Sequence, residues 1–384
     1  MAAPPRRPTR VLIVDDSAIV RKMLADGLRS DPDIEVVGLA SDPFVARDLI
    51  LQHKPDVLTL DIEMPRMDGL TFLRKLMVHH PMPVIIVSSV TQSGSEASIE
   101  ALAAGAIDVI AKPGGPLSVG QVAEKLKRRI RGLSTGRPIR FPSAHRALRV
   151  ALPAATADRL SRANGVILIG ASTGGTQAIE AVLSRLPADT PPIVVVQHMP
   201  AHFTRAFAAR LDSVCPMKVV EARGGELIGR GVTYICPGDF HMRVEARGVE
   251  LRIEVDSGPP VHYQRPSVDV LFQSAAKLRG VPMVALLLTG MGVDGADGMV
   301  ALRQAGAVTI AEDERSCVVF GMPGEAIARG GAVHVATLLA MPRLIADSLP
   351  DPRGASRSGP GGGGSPASGP RGESPRPHQR ARVG

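Results

Sequence analysis

Short apolar runs and amphipathic stretches alternate along most of this chain. Runs at 10–14, 34–39, 56–60, 83–87 and 107–110 are separated by stretches with helical spacing. Apolar runs of this kind read as strands buried on both faces. Their alternation with helices predicts a doubly wound, five-stranded parallel sheet over 10–131, closed by a helix at 118–131. From 132 to 163 the rhythm stops. Pro138, Pro142 and Pro153 interrupt an arginine-rich stretch without a sustained apolar face, which predicts a linker. The rhythm resumes over 164–349, where strands at 166–169, 192–196 and 283–288 and a helix at 176–186 predict a second α/β unit with a mainly parallel sheet. Residues 350–384 are Gly, Pro, Ser and Arg with almost no apolar side chain, so they cannot bury a core and are predicted to be disordered.

In open α/β sheets the carboxyl edge gathers side chains from different strands. In the first unit Asp15 and Asp16 follow the first strand, Asp61 the third, Ser88 the fourth and Lys112 the fifth. Carboxylates packed together repel one another and form a site for a hard divalent cation such as Mg²⁺. There Asp61 can attack a phosphoryl group while the metal and Lys112 neutralise its oxygens and Ser88 hydrogen-bonds the product. Singly, each has a plainer role, as a helix cap or a solvated turn. Five such side chains at the strand ends of one sheet favour the chemical one.

These residues lie in VLIVDDSAIVRKM (11–23), LTLDIEMPRMDGL (58–70), VIIVSS (84–89) and GAIDVIAKP (105–113), and the segment from 11 to about 130 resembles the receiver domains of two-component response regulators. The resemblance implies that Asp61 is the phosphoacceptor, that Asp15, Asp16 and Asp61 bind Mg²⁺, and that Ser88 and Lys112 are switch residues. One departure is Val109, three residues before the lysine, where such domains usually carry an aromatic.

The second unit ends its strands in other groups. GVILIGASTGG (165–175) runs from a buried strand into small residues around one hydroxyl, Ser172. Alone, this stretch reads as a nucleophile turn, a phosphate-cradling loop or a tight turn. The next strand ends in QHMP (197–200) with His198, and the third in TGMGVDGADGM (289–299) with Asp294. A serine hydrolase needs this set: a hydroxyl too weakly acidic to attack unaided, an imidazole to take its proton, and a carboxylate to fix the imidazole tautomer. His202, His241 and His262 rival His198, and Asp269 and Asp297 rival Asp294. The preferred trio follows directly on buried strands.

IGASTGG, VVVQHMPAHFT, YICPGDFHM (234–242), RPSVDVLFQSAA (265–276), LLTGMGVDGADGM and FGMPGEAI (320–327) together resemble the catalytic domain of the chemotaxis protein-glutamate methylesterases, the CheB family, over 166 to about 349. The order receiver, then methylesterase, is also that family's order. The resemblance implies hydrolysis of glutamyl methyl esters on chemoreceptors with release of methanol, deamidation of receptor glutamines, and phosphorylation by a histidine kinase of the chemotaxis type. It implies Ser172 as nucleophile, His198 as base, Asp294 as orienting partner, the Met291 N–H as oxyanion donor and Thr173 in the same pocket, with no cofactor for the ester reaction. Arg265 is expected to line or brace the cleft, and the receiver to cover Ser172 at rest.

Charge and cysteine content narrow the field. The net charge is +8, but 125–162 and 351–384 together carry +14, which leaves the remainder at −6. Basicity thus belongs to a linker and a tail, and no specific nucleic-acid partner is expected. Cys215, Cys236 and Cys317 are far apart without a metal-site spacing and read as buried small apolar residues. No run reaches the length of a membrane span and no apolar signal segment opens the chain, so a cytoplasmic protein without membrane insertion is expected.

Overall fold

A computed structural model describes residues 7–89, 91–112, 119–133 and 151–351. The first unit alternates β1 (Thr9–Val14), α1 (Ala18–Arg29), β2 (Ile34–Ala40), α2 (Pro43–His53), β3 (Val57–Leu60), α3 (Gly69–His79), β4 (Val84–Ser88), α4 (Gln92–Ala103), β5 (Asp108–Ala111) and α5 (Val119–Leu133). Its five strands are parallel in the order β2-β1-β3-β4-β5. Strand periodicity divides the core. Val11 and Ile13 face α1 and α5 with Leu24, Leu28, Val122, Leu126 and Ile130. Leu12 and Val14 face α2 to α4 with Ile50, Leu73 and Leu102.

The second unit begins with α6 (Ala154–Arg162), then β6 (Val166–Ala171), α7 (Gly175–Leu183), β7 (Ile193–Gln197), α8 (Ala201–Val214), β8 (Lys218–Glu221) and β9 (Val232–Ile235). A hairpin of β10 (His241–Arg247) and β11 (Glu250–Asp256) follows. The chain continues through α9 (Val268–Ala275), β12 (Met283–Leu287), α10 (Ala296–Gln304), β13 (Val308–Glu312), α11 (Met322–Ala328), β14 (His334–Ala336) and α12 (Met341–Ser348). Its seven-stranded sheet has the order β14-β13-β12-β6-β7-β9-β8 and every pairing in it is parallel. The hairpin is antiparallel and forms a sheet of its own. β6 lies between β12 and β7, so connections leave it in opposite directions and a crevice opens at the carboxyl ends of β6 and β12.

Three expectations change. Residues 154–162, read as linker, form α6 and pack on α12, with Leu160 fully buried and Arg159 and Arg162 paired to Asp347 and Asp351. The helix is nine residues long and follows a proline-interrupted, arginine-rich stretch, so its own amphipathic pattern is easily lost in the linker. The closing helix of the first unit reaches Leu133, two residues beyond the expected end. The remainder of the linker and the tail from 352 lie outside the described residues. Cys236 and Cys317 are buried, whereas Cys215 is only partly so; all three are free. Among the described residues no helix is long and apolar enough to cross a membrane.

The units pack through α4 of the first against α7 and α8 of the second. One apolar cluster runs from Ile99, Ala101 and Leu102 into Ile179, Val182 and Phe203. On the other side of the first sheet, Ile130 and Leu133 of α5 share a cluster with Val319, with Met291 and Val318 packed against it.

Candidate active site and acidic receiver pocket

In the first unit, the crevice between β1 and β3 gathers the expected acidic set. Asp15 and Asp61 are buried and Asp16 is exposed. One oxygen from each of the three lies within 4.8 Å of the others. Lys112 Nζ stands 2.7 Å from Asp61 Oδ2 and 2.9 Å from Asp15 Oδ2. Lys112 is the partner of both Oδ2 atoms, so two buried carboxylate oxygens depend on that one ammonium. Burial pushes the Asp61 carboxyl up to about 6, against the downward pull of Lys112 and with an upward push from Asp15. Lys112 is itself raised: burial works against its charge, and the two carboxylates outweigh it. Underpartnered acidic oxygens with room for a shared ligand suit a hard cation, so the donor set fits Mg²⁺. Ser88 is buried and donates to the Gly94 carbonyl in the first turn of α4 at 3.3 Å.

In the second unit, Ser172 follows β6, His198 follows β7, and Thr289 to Asp294 follow β12. The turn after β6 is tight. Gly174 has φ +78°, and a Cβ there would stand 2.6 Å from Val318. A Cβ at Gly290 would stand 2.7 Å from Ser172 Cβ, which explains the small residue beside the hydroxyl. Gln197 ties two strand ends together, its amide donating to the carbonyls of Ser172 at 2.9 Å and His198 at 3.2 Å.

His198 Nε2 lies 2.7 Å from Asp294 Oδ2. Asp294 fills its remaining acceptor positions from the start of α9: the Ser267 hydroxyl donates at 2.7 Å, the Val268 N–H at 2.7 Å and the Asp269 N–H at 3.0 Å. Burial alone would raise this carboxyl. The hydrogen bonds from His198, Ser267 and Asp269 overcome that and hold it below its ordinary value. An ionised Asp294 favours the proton on Nε2, which leaves a lone pair on Nδ1. Nδ1 is buried without a hydrogen-bond partner. Among the described residues the main-chain N–H groups of Thr173 and Met291 find no hydrogen-bond acceptor either, which leaves two donors in the turns that flank Ser172.

The rivals are occupied or remote. His241 accepts the Ser267 N–H on Nδ1 and faces the Pro259 carbonyl with Nε2. His202 is exposed on α8. His262 lies 3.1 Å from Asp269, whose other oxygen accepts the Gly298 N–H at 2.6 Å, and Asp297 pairs with Arg329. Arg265 does not reach Ser172. It donates to the carbonyls of Ser257 and Gly258 and so braces the loop before α9.

The least expected residue at the site is Arg129 of α5. Its guanidinium donates to Ser172 Oγ at 3.0 Å and Thr173 Oγ1 at 3.1 Å, and its Nε pairs with Asp108 Oδ2 at 2.9 Å. Thr173 Oγ1 donates to the same Asp108 oxygen at 2.8 Å. Three further bonds join the units beside this network: the Gly174 N–H donates to the Ile107 carbonyl, and the Gln177 amide to the carbonyls of Leu102 and Ala106. Arg128 covers the Tyr263 ring at 4.6 Å, and Gly132 abuts the Met291 thioether. The sequence concealed Arg129 within a basic run assigned largely to a solvated linker, and no local pattern separates it from its neighbours. Its helical phase, three residues after Leu126 and one before Ile130, was the available signal.

Comparison with known proteins adds the following. Residues 167–345 match the family model for CheB methylesterase, and 11–123 that for the response regulator receiver domain. A Syntrophus aciditrophicus protein named protein-glutamate methylesterase/protein-glutamine glutaminase 2 is 51% identical over 329 residues, covering 86% of this chain and 96% of the relative. A Bordetella avium protein of the same name is 51% identical over 339 residues, covering 88% and 96%. The Thermotoga maritima CheB methylesterase catalytic domain is a solved structure with 39% identity, covering 48% of this chain and 98% of that one at a TM-score of 0.47.

Proposed function

The chain belongs to the CheB methylesterase family, and from that membership we propose that it is a phosphorylation-regulated protein-glutamate methylesterase and protein-glutamine glutaminase acting on chemoreceptors. Its regulatory unit is read as running to Leu133 and its catalytic unit from Pro153 to Asp351. The observation that carries the site assignment is the buried His198–Asp294 pair beside Ser172, with the base nitrogen of His198 still unpartnered.

In the reaction, Ser172 Oγ attacks the side-chain carbonyl carbon of a glutamyl methyl ester and His198 Nδ1 takes the hydroxyl proton. The N–H groups of Met291 and Thr173 stabilise the tetrahedral oxyanion. Collapse breaks the bond to methoxide, which leaves as methanol with the proton from His198. Water, deprotonated by the same nitrogen, then hydrolyses the acyl-enzyme to glutamate and free Ser172. A glutamine side chain passes through the same steps and releases ammonia.

At rest the site is blocked. Arg129 holds Ser172 Oγ, and a hydroxyl that accepts from a guanidinium there is not committed to His198. Asp15, Asp16 and Asp61 would hold Mg²⁺, which supplies charge neutralisation during phosphoryl transfer from a histidine kinase of the chemotaxis type. Phosphorylated Asp61 draws Ser88 and Lys112 to its oxygens. Ser88 then leaves the Gly94 carbonyl and unsettles α4, whose last turn carries Leu102. A preference of a few kcal/mol for the open arrangement is enough to expose Ser172.

The test is methanol release from methylated receptor membranes, with and without a small-molecule phosphodonor. Wild-type enzyme should release methanol faster with the donor, Asp61→Asn should lose only that increase, and Ser172→Ala should release none. Retained activity in Ser172→Ala would sink the nucleophile assignment.

A further inference from the structure

The donors that hold the receiver form a strip beside Ser172. It comprises the Thr173 hydroxyl, the Gly174 N–H and the Gln177 side-chain amide. As donors they meet the Asp108 carboxylate at 2.8 Å, the Ile107 carbonyl at 2.9 Å, and the carbonyls of Leu102 at 2.7 Å and Ala106 at 2.5 Å, while the Thr173 hydroxyl also accepts from Arg129 at 3.1 Å. The strip begins one residue from the nucleophile and is half-buried or buried along its length.

We propose that Thr173, Gly174 and Gln177 form a substrate subsite for carbonyl oxygens flanking the reacting side chain, and that the receiver segment 102–108 fills it at rest as an internal mimic of the substrate. This rests on the esterase reading of Ser172. When the receiver leaves, the Gly174 N–H and the Gln177 amide lose three acceptors together. Donors left unpaired in a partly dry cleft are costly, and a substrate that restores their bonds gains what the receiver gave up. The reaction brings a polypeptide to this place, and its main chain and its glutamine and methyl-ester side chains all carry uncharged carbonyl oxygens. The strip fits that chemistry better than it fits a carboxylate. Its one anionic occupant, Asp108, is neutralised by Arg129, which departs with the receiver, and the remainder of the chain outside its basic segments is net acidic.

The arrangement predicts effects of opposite sign from one side chain, because Gln177 would bind the inhibitor and the substrate in turn. In the full-length chain, Gln177→Ala should raise the methanol-release rate on methylated receptor membranes several-fold without phosphodonor. With phosphodonor it should raise KM about fivefold and leave kcat unchanged, as expected for one lost hydrogen bond of about 1 kcal/mol. Gln177→Glu replaces the donor by an acceptor of equal size and should show the same pattern more strongly. A raised resting rate with an unchanged KM in the phosphorylated state would reduce Gln177 to an interdomain contact and overturn the subsite. Lower rates in both states for both variants would overturn it as well. Absence of methanol release from wild type would instead remove the esterase reading on which the inference stands.

Discussion

Arg129 of the receiver's last helix and Ser172 at the end of β6 share a hydrogen bond of 3.0 Å, and Asp108 anchors the guanidinium from the other side. The regulatory unit therefore reaches the proposed nucleophile itself and not only the rim of the cleft. Arg129→Ala removes the bond to Ser172 and leaves the mostly buried Asp108 carboxylate without its cation, a second penalty on the closed arrangement. The unphosphorylated variant should release methanol at least about tenfold faster than wild type, the equivalent of roughly 1.4 kcal/mol off the closed state. Arg129→Lys should fall between them, since an ammonium keeps the charge but not the fork. An unchanged resting rate in Arg129→Ala would show that α5 covers the site without controlling it.

Ser267 should matter although it is remote from the ester. Its hydroxyl is one of four donors on Asp294, and that carboxyl lies below its ordinary value of 3.8 although it is buried. Because the folded value is depressed, the stabilisation is complete above 3.8 and is lost as pH falls through the folded value. Ser267→Ala weakens the hold on the ionised form. It should lower kcat by about 10- to 100-fold, from the loss of a hydrogen bond to a charged group of roughly 1.5–3 kcal/mol. KM should stay level and the acid limb of the kcat profile should move up in pH, while Ser267→Thr restores both. A pH profile that keeps its shape would assign Ser267 to packing alone.

How far these residues were legible in the sequence follows from the kind of signal each one sends. Asp15, Asp61, Ser88, Lys112, Ser172, His198 and Asp294 each come at or after the end of a buried apolar strand, so strand periodicity alone places them on a carboxyl edge. The all-parallel sheet follows from the same runs, because strands covered on both faces lack polar alternation. Arg129, Asp108 and Gln177 act across the two units. Their partners in the other unit are more than 40 residues away, and a charged or amide side chain reads as solvated until the second unit is placed against it. Ser267 lies in RPSVD beside Arg265, and a small hydroxyl next to an arginine carries no local sign that its partner is Asp294. α6 is hidden by the proline- and arginine-rich stretch in front of it, although its own nine residues are amphipathic.

The phosphoacceptor should respond to pH in a range where an ordinary aspartate would not. Burial lifts Asp61 to about 6, so at lower pH the carboxyl is protonated and cannot attack a phosphoryl group. The rate of Asp61 phosphorylation by a small-molecule phosphodonor, measured at low Mg²⁺, should fall as pH drops through about 6. Lys112 opposes the lift, so Lys112→Ala should move that midpoint upward. A midpoint near 4 in wild type would mean that the pocket is more solvated than its geometry implies. A downward shift in the variant would contradict the role given to Lys112.

A second buried acid, Glu312, lies under the catalytic loop. It is fully buried at the end of β13 and accepts the Thr289 N–H at 2.7 Å, while the Thr289 carbonyl accepts the N–H of Ser172. Burial raises its carboxyl to about 7 from an ordinary 4.5, outweighing the hydrogen bond from Thr289. The folded state therefore takes up this proton more readily than the unfolded chain. The favourable contribution is present below 4.5 and is lost as pH rises towards 7, where the buried charge must form. Glu312→Gln keeps an acceptor for Thr289 and removes the charge. At pH 8 the variant should be more stable than wild type by roughly 2–3 kcal/mol, with a higher melting temperature, and the advantage should vanish near pH 4.5. Melting curves across that range check the sign directly. A variant less stable than wild type at pH 8 would mean that the ionised carboxylate is itself a required partner of the loop that carries Ser172.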